Sequence, residues 1–308
     1  MKKLTALVLA LCMALGLAAC GGSKDTGSAA GSTAAASGDT VKIGVYEPQS
    51  GDNGAGGKQE ILGVQYANSV APTVEIGGKT YNVKLEIVDN ESSNDKAVSA
   101  ASQLVSQGVS VVLGSYGSGV SIAASDTFKN AGVPAIGITC TNPAVTAGNT
   151  HYFRACFIDS FQGPVLANYA YDNLKVKKAY CLSKLGDDYS GGLVSYFTKQ
   201  FEKKGGQVVK AEFPEGNSDF TSYIANAKKE GCGVFYAPIS IEAAQLVINQ
   251  AASQNLGMPI LAGDTWDSNV ILEAAKGTDV KIDVTTFYAD GTNKEFEKGI
   301  KEWINPPT

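Results

Sequence analysis

The stretch Ser110–Ser121, SVVLGSYGSGVS, contains the change of pattern that decides the fold. Its short apolar run, Val111–Leu113, stops at Gly114 and gives way to small and hydroxyl-bearing residues, and the amphipathic segment Val120–Asn130 follows at once. This order predicts a buried strand, a tight loop and the start of a helix. The loop would lie at the carboxyl end of its strand, which is where open α/β sheets bind ligands.

The predicted helix start also has the chemistry of an anion site. The first turn of a helix has free backbone N–H groups and the positive end of the helix dipole, and both suit a carboxylate. The Ser118 hydroxyl would add one more hydrogen-bond donor. We therefore expect this turn to hold the acidic end of a small molecule.

Strand-like and helix-like segments alternate on both sides of this turn, in two series. The first series opens with the strand Val41–Tyr46 and the helix Gly54–Val70. The second opens with the helix Phe161–Leu174 and ends with the strand Pro259–Leu261. A strand at Val284–Tyr288 and a last helix at Lys294–Ile304 follow. Such alternation predicts an α/β fold with two similar, doubly wound parallel-sheet lobes joined by hinge crossovers. A pocket between the lobes would draw on strand ends from both sheets.

The domain organisation follows from these patterns. Residues 1–19 are predicted to be an export signal and residues 20–40 a flexible linker, while residues 41–155 and 156–284 form the two lobes. Residues 285–308 would return to the first lobe. The formal net charge of −5 comes without a basic cluster, so a nucleic-acid partner is not expected, and we expect a monomer.

The amino terminus has the features of a lipoprotein signal. Lys2 and Lys3 precede the apolar run Leu4–Leu17, which is short for a membrane span, and the sequence Leu-Ala-Ala-Cys ends at Cys20. This resembles the bacterial lipoprotein cleavage box, in which Cys20 would carry the lipid, and a plain signal peptide with an incidental cysteine is the alternative. We expect an extracytoplasmic protein anchored in the cell membrane by its lipid.

The residues favour binding over catalysis. His151 is the sole histidine, the chain has neither a C-x-x-C nor a G-x-S-x-G motif, and the glycine-rich segment Gly51–Lys58 lacks the spacing of a phosphate-binding loop. Neither a metal nor a cofactor is expected. An α/β enzyme acting on a small acid, with Asp188 or Asp264 as the base, remains an alternative.

A second candidate site follows the apolar run Pro259–Leu261, in the segment Gly263–Ser268. Asp264 in this segment would face the Ser118 turn across the cleft, and together they would suit the two ends of a zwitterion. The alternative is that Asp264 caps the next helix while Trp266 packs in the core.

The order of these motifs resembles that of a known family. From Val41 to Tyr288 the chain is similar to the branched-chain amino-acid-binding receptors of ABC importers, which are type I periplasmic binding proteins of the Leu/Ile/Val-binding kind. The segments that carry the resemblance are Ser50–Gly51, Val112–Ser121, Ile138–Pro143, Arg154, Gln162–Gly163, Asp188–Gly191 and Gly263–Ser268. The resemblance implies a receptor that closes around an amino acid and delivers it to a membrane permease with ATPase subunits.

The resemblance also implies roles for particular residues. The residues matching the family's carboxylate-binding loops are Ser118, Thr139, Cys140 and Thr141. Asp264 would bind the ligand's ammonium group, and Tyr189 would line the pocket.

In two places the chain departs from the family. Family tyrosines fall at Gly56 and Ser240 here, and losing two phenols would widen or repolarise the side-chain pocket. The expected ligand is therefore a branched-chain amino acid or a related one, and the altered pocket also allows another amino acid, an amide or a differently shaped acid. A sensor for another small carboxylate, an amide or a nucleoside is the alternative. Family members also continue past Thr308, so the fold is expected to be truncated at its carboxyl terminus.

Overall fold

A computed structural model describes residues 39–306 of the chain. The predicted signal peptide, Cys20 and most of the predicted linker lie outside the described residues. The strands are β1 Thr40–Glu47, β2 Thr73–Ile76, β3 Lys79–Asp89, β4 Val111–Leu113, β5 Ala135–Gly137, β6 Tyr152–Arg154, β7 Lys178–Lys184, β8 Gln207–Phe213, β9 Val234–Tyr236, β10 Ile260–Ala262 and β11 Ile282–Val284. The α-helices are α1 Gly54–Val70, α2 Asn94–Ser106, α3 Ser118–Ala131, α4 Asp159–Asn168, α5 Asp188–Lys203, α6 Thr221–Lys229, α7 Ile241–Ser253, α8 Asn269–Ala275 and α9 Lys294–Ile304.

The first lobe is built on a sheet with the strand order β2-β3-β1-β4-β5-β6. Strand β1 lies inside this sheet because its apolar end is buried, and it pairs in parallel with β3 and β4. Strand β2 was not predicted, and it pairs antiparallel with β3 through the turn at Gly77 and Gly78, which both have positive φ. The other pairs in the sheet are parallel, so β4, β5 and β6 end at the same edge.

The second lobe is built on a parallel sheet with the order β11-β10-β9-β7-β8. Strands β7, β9 and β10 are buried along nearly their whole length, as expected of strands covered on both faces. Aromatic rings fill this lobe, including the stacked pair Phe197 and Tyr236. The prediction of two parallel-sheet lobes therefore corresponds to the observed architecture, and each lobe brings strand ends to the cleft between them.

The predicted strand Val284–Tyr288 is wrong in its position. Strand β11 ends at Val284 because its partner β10 ends at Ala262, where the chain turns into a short 3-10 helix. Beyond that point Phe287 instead stacks on Phe157, with ring centroids 4.2 Å apart. The predicted last helix is confirmed as α9.

Helix α9 packs against the first lobe. Tyr66 of α1 contacts the rings of Phe296 and Trp303, with centroid separations of 5.9 Å in both pairs. These aromatic residues of α9 remain partly exposed. Among residues 39–306, the structure contains no helix with the length and apolar character needed to cross a membrane.

Helix α1 allows a direct test of the packing that positions the cleft. A Cβ atom at Gly57 would overlap the Pro48 carbonyl oxygen, whereas one at Gly63 in the same helix has no neighbour within 4 Å. We expect Gly57→Ala to lower the free energy of unfolding by about 1–3 kcal/mol. Gly63→Ala is the matched control and should be neutral or stabilise by up to about 1 kcal/mol. Urea denaturation measures both, and equal stability of the two variants would contradict the packing at Pro48.

Candidate functional site

The turn after β4 lies at the cleft edge of the first lobe. Helix α3 begins at Ser118, whose side chain is fully buried. The Asn142 backbone N–H donates to Ser118 Oγ at 3.1 Å, so the turn after β4 is joined to the loop after β5. The structure therefore brings together the two loops that the sequence predicted to bind a carboxylate.

The three predicted residues in the loop after β5 point in different directions. The Thr139 hydroxyl donates to the Glu60 carboxylate, and the buried Thr141 hydroxyl lies beside the Asp159 carboxylate. The Cys140 thiol packs into the core of the first lobe instead, against Tyr152 and close to Gly137. Only the backbone of Cys140 is thus placed to meet a ligand in the cleft.

Behind Thr139 lies a pair of acids that the sequence analysis did not identify. The carboxyl groups of Glu47 and Glu60 lie close enough to affect each other's ionisation. Burial raises the pKa of Glu47 well above its usual range and that of Glu60 to about 7. The Glu47 carboxyl group also accepts a hydrogen bond from the Tyr116 backbone N–H at 2.6 Å.

Asp264 is the acid of the second lobe, directly after β10. Its Oδ1 atom accepts hydrogen bonds from Gln162 Nε2 at 2.8 Å and from the Tyr189 hydroxyl at 2.9 Å. Its backbone N–H donates to Gln162 Oε1 at 3.0 Å, so one amide side chain fixes both ends of the residue. The Thr285 hydroxyl donates to the same Gln162 oxygen, which ties this acid to the segment after β11.

Burial dominates the electrostatics of the cleft. It raises the pKa of Asp264 to about 6 and the pKa of Asp159 to about 7, because the charged forms lose their hydration. The Arg154 guanidinium has a smaller opposing effect on Asp159, since it donates mainly to the carbonyls of Cys140 and Asn142. Within the part of the chain that the structure describes, the acidic side chains of the site therefore outnumber the basic side chains that face them.

Contacts between the lobes close the mouth of the cleft. Lys184 Nζ lies 2.8 Å from Asp52 Oδ2, and Asn142 Nδ2 donates to the Asp188 carbonyl at 2.7 Å. The amino end of α7 is capped from the opposite lobe, because the Ile241 N–H donates to Asn53 Oδ1 at 3.3 Å.

Ser240 precedes α7, and its own side chain does not cap the helix. It lines a cavity of about 60 Å³ together with Tyr116, Ser118, Tyr189 and Thr265. The remaining predicted residue, Gly56, lies beside this cavity against the ring of Tyr116. The structure therefore gathers the predicted residues around one cleft, apart from the Cys140 side chain.

Five residues that shape the site had no predicted role, namely Glu47, Glu60, Tyr116, Asp159 and Gln162. Tyr116 and Gln162 do stand in segments that carry the resemblance, and an acid at the buried end of β1, as at Glu47, is a signal of the same kind. Glu60 and Asp159 are ordinary residues of helices, and only the folded chain brings them to the cleft.

A family model described as "Periplasmic binding protein" matches residues 40–303. This chain belongs to that family. Leu/Ile/Val-binding protein homolog 2 of Brucella abortus is 32% identical over 256 residues, which are 82% of this chain and 68% of the relative. An amino acid binding protein of Pseudomonas aeruginosa is 32% identical over 81% of this chain and 67% of its own length.

Solved structures of periplasmic binding proteins share the two-lobed fold. The leucine-binding protein LivK of Thermotoga maritima superposes with a TM-score of 0.79 at 30% identity, over 85% of this chain and 75% of its own. LivJ of Streptococcus pneumoniae, in complex with isoleucine, gives 0.77 at 28% identity over 87% and 78%. A solute-binding protein of R. palustris, in complex with benzoate, gives 0.77 at 25% identity over 86% and 74%.

These findings confirm the family and the fold class that the sequence indicated. The branched-chain type of periplasmic binding protein is a solute-binding, extracytoplasmic class. The cleft between the lobes, with its hydroxyl groups on one side and Asp264 on the other, is the site in which such a protein would hold a solute.

The buried acids predict that the ligand-free protein loses stability as pH rises from about 4.5 to about 7. Unfolded, these carboxyl groups release their protons near pH 4, whereas folded Asp159 and Glu60 hold theirs to about pH 7. The folded state binds more protons across this window, so the free energy of unfolding falls as pH rises. Urea denaturation at several pH values measures it.

The control for this pH dependence is a matched pair of variants. Asp159→Asn should reduce the change in stability across the window, whereas Asp172→Asn, at an exposed acid paired with Lys204, should leave it as in the wild type. A wild-type protein that gains stability between about pH 5 and about pH 7 would show that the buried acids are ionised throughout.

Proposed function

We propose that this protein is an extracytoplasmic receptor that binds an amino acid, of the branched-chain or a related kind, and delivers it to an ABC importer. The observation that carries the proposal is the arrangement around Asp264. Its buried carboxylate is held by Gln162 and Tyr189 in the second lobe, and Tyr189 lines one cavity together with the Ser118 turn of the first lobe. An α-amino acid has the matching charges, with a carboxylate at one end and an ammonium group at the other.

The first lobe would hold the ligand's carboxylate. The start of α3 supplies backbone N–H groups and a helix dipole, and the hydroxyl groups of Ser118 and Thr141 lie at the same edge. The loop from Thr139 to Thr141 would add backbone donors, including that of Cys140. Gly56 leaves room on this side for the ring of Tyr116, which would form part of the pocket wall.

The second lobe would hold the ammonium group. Asp264 uses its Oδ1 atom for Gln162 and Tyr189, which leaves Oδ2 for the ligand. Tyr189 and Ser240 would line the wall of the pocket on the same side. An ammonium group would supply the counter-charge that this buried carboxylate lacks among the described residues.

Ligand binding would favour closure of the lobes. We place the first lobe in residues 41–155, the second in residues 156–284 and a return to the first in residues 285–308. Only the closed form presents both Ser118 and Asp264 to one ligand, so binding shifts the equilibrium towards closure.

The cellular setting follows from the same proposal. The closed receptor would act as a monomer, without catalysing a reaction, and dock on a permease with its ATPase subunits. Cys20 would carry the lipid that holds it at the membrane surface.

Radioactive palmitate labelling of the wild type and of Cys20→Ala tests the anchor. Ligand uptake by the reconstituted importer separates transport from sensing.

An aromatic acid is the second candidate ligand, because a structural relative was solved with benzoate. Benzoate has a carboxylate that the first lobe could hold. It has no ammonium group for Asp264, so the buried carboxylate would remain without a counter-charge. The site therefore favours an amino acid over an aromatic acid.

Asp264→Asn tests the central contact. The asparagine keeps an oxygen for Gln162 and Tyr189 but loses the charge, so we expect amino-acid affinity to fall by about 2 kcal/mol or more in calorimetry. Asp126→Asn, the same change at an exposed position of α3, should have no effect. Ser118→Ala should cost about 1 kcal/mol, since backbone donors remain. Tighter binding of benzoate than of any amino acid would overturn the proposal.

The pH dependence of binding gives a separate test. Because the pKa of Asp264 is raised to about 6 in the ligand-free site, protons compete with the ligand's ammonium group below that pH. Affinity should fall by up to about tenfold per pH unit below pH 6 and be nearly constant above it. In Asp264→Asn this component should disappear, and an unchanged profile would remove the carboxylate from the contact.

A further inference from the structure

Tyr116 crosses from one lobe to the other. It belongs to the turn between β4 and α3 of the first lobe, yet its ring packs in the core of the second lobe with Ile239 and Trp266. Among the buried members of that core within residues 39–306, it alone comes from the first lobe. Its hydroxyl donates to the Thr265 carbonyl at 3.1 Å.

The absence of a side chain at Gly56 makes this position of the ring possible. A Cβ atom at Gly56 would overlap the Tyr116 ring, at 2.6 Å from Cε2. The backbone of Tyr116 is held as well, because its N–H donates to the buried carboxyl group of Glu47. The hydrogen bond to Thr265 therefore holds the hydroxyl end of the side chain, Glu47 holds the backbone, and the ring lies against Gly56.

The fixed ring leaves little space at this part of the cleft. The cavity that Tyr116 lines with Ser118, Tyr189, Ser240 and Thr265 has a volume of about 60 Å³. Small-molecule sites commonly enclose about 300–1,000 Å³, so this cavity is small for a ligand site. We therefore expect it to suit a short side chain, such as that of alanine, better than the longer side chain of isoleucine.

We propose that Tyr116 limits the ligand to a small α-amino acid, of the size of glycine, alanine or serine, by filling the space that a longer side chain would occupy. This inference rests on the proposed amino-acid receptor function and names its substrate class. Tyr116 is a specificity-determining residue in this account, and the polar ends of the ligand remain with Ser118 and Asp264.

Calorimetric titration of alanine and isoleucine tests the size limit. The wild type should bind alanine at least about tenfold more tightly than isoleucine, since each methylene that fits poorly costs a factor of this order. Tyr116→Ala opens the space and should move the ratio of the two affinities towards isoleucine by at least about tenfold. Tyr116→Leu is the second variant if the alanine variant does not fold.

Tyr116→Phe is the matched control, because it keeps the ring and removes only the hydrogen bond to Thr265. It should keep the wild-type order of ligands, and a role confined to stability would leave the ratio unchanged in every variant. Isoleucine binding to the wild type as tightly as alanine would overturn the size limit while the receptor function stands. Failure of every amino acid to bind the wild type would overturn both.

Discussion

The Asp264 carboxylate is the constraint on which the rest of the site depends, because it is buried with hydrogen-bond donors but has no paired cation within residues 39–306. A buried charge is costly unless it is paired, and here burial raises the pKa of Asp264 to about 6. Gln162 and Tyr189 hold the group in place without neutralising it. In the proposed function, the ammonium group of a bound amino acid would supply the missing counter-charge.

Closure also depends on polar contacts that each lobe offers the other. The loop before α1 caps the amino end of α7 through Asn53 and places Asp52 beside Lys184. Each contact is modest, since partly exposed ion pairs contribute about 0–1 kcal/mol. Together with Tyr116 they hold the two lobes in contact across the cleft.

Much of the fold and part of the site could be predicted from the sequence. The apolar run before Gly114 and the helical pattern after it located the Ser118 turn, and the alternation of segments gave two parallel-sheet lobes. The strand placed at Val284–Tyr288 was wrong, because a strand's end is decided by where its partner ends, here Ala262. The position of the Cys140 thiol could not be predicted from the sequence either, since neighbouring residues of one loop point alternately to the cleft and to the core.

The sequence by itself determined the class of the protein, because periodicity, turn residues and motif order are local properties that can be read along the chain. It placed Ser118 and Asp264 at strand ends, and parallel strands necessarily bring those ends to one edge of each sheet. Only the tertiary structure decided which groups meet across the cleft. Tyr116 fills the space at Gly56, Glu47 lies near Glu60, and Gln162 fixes Asp264. No local pattern of the sequence encodes these contacts.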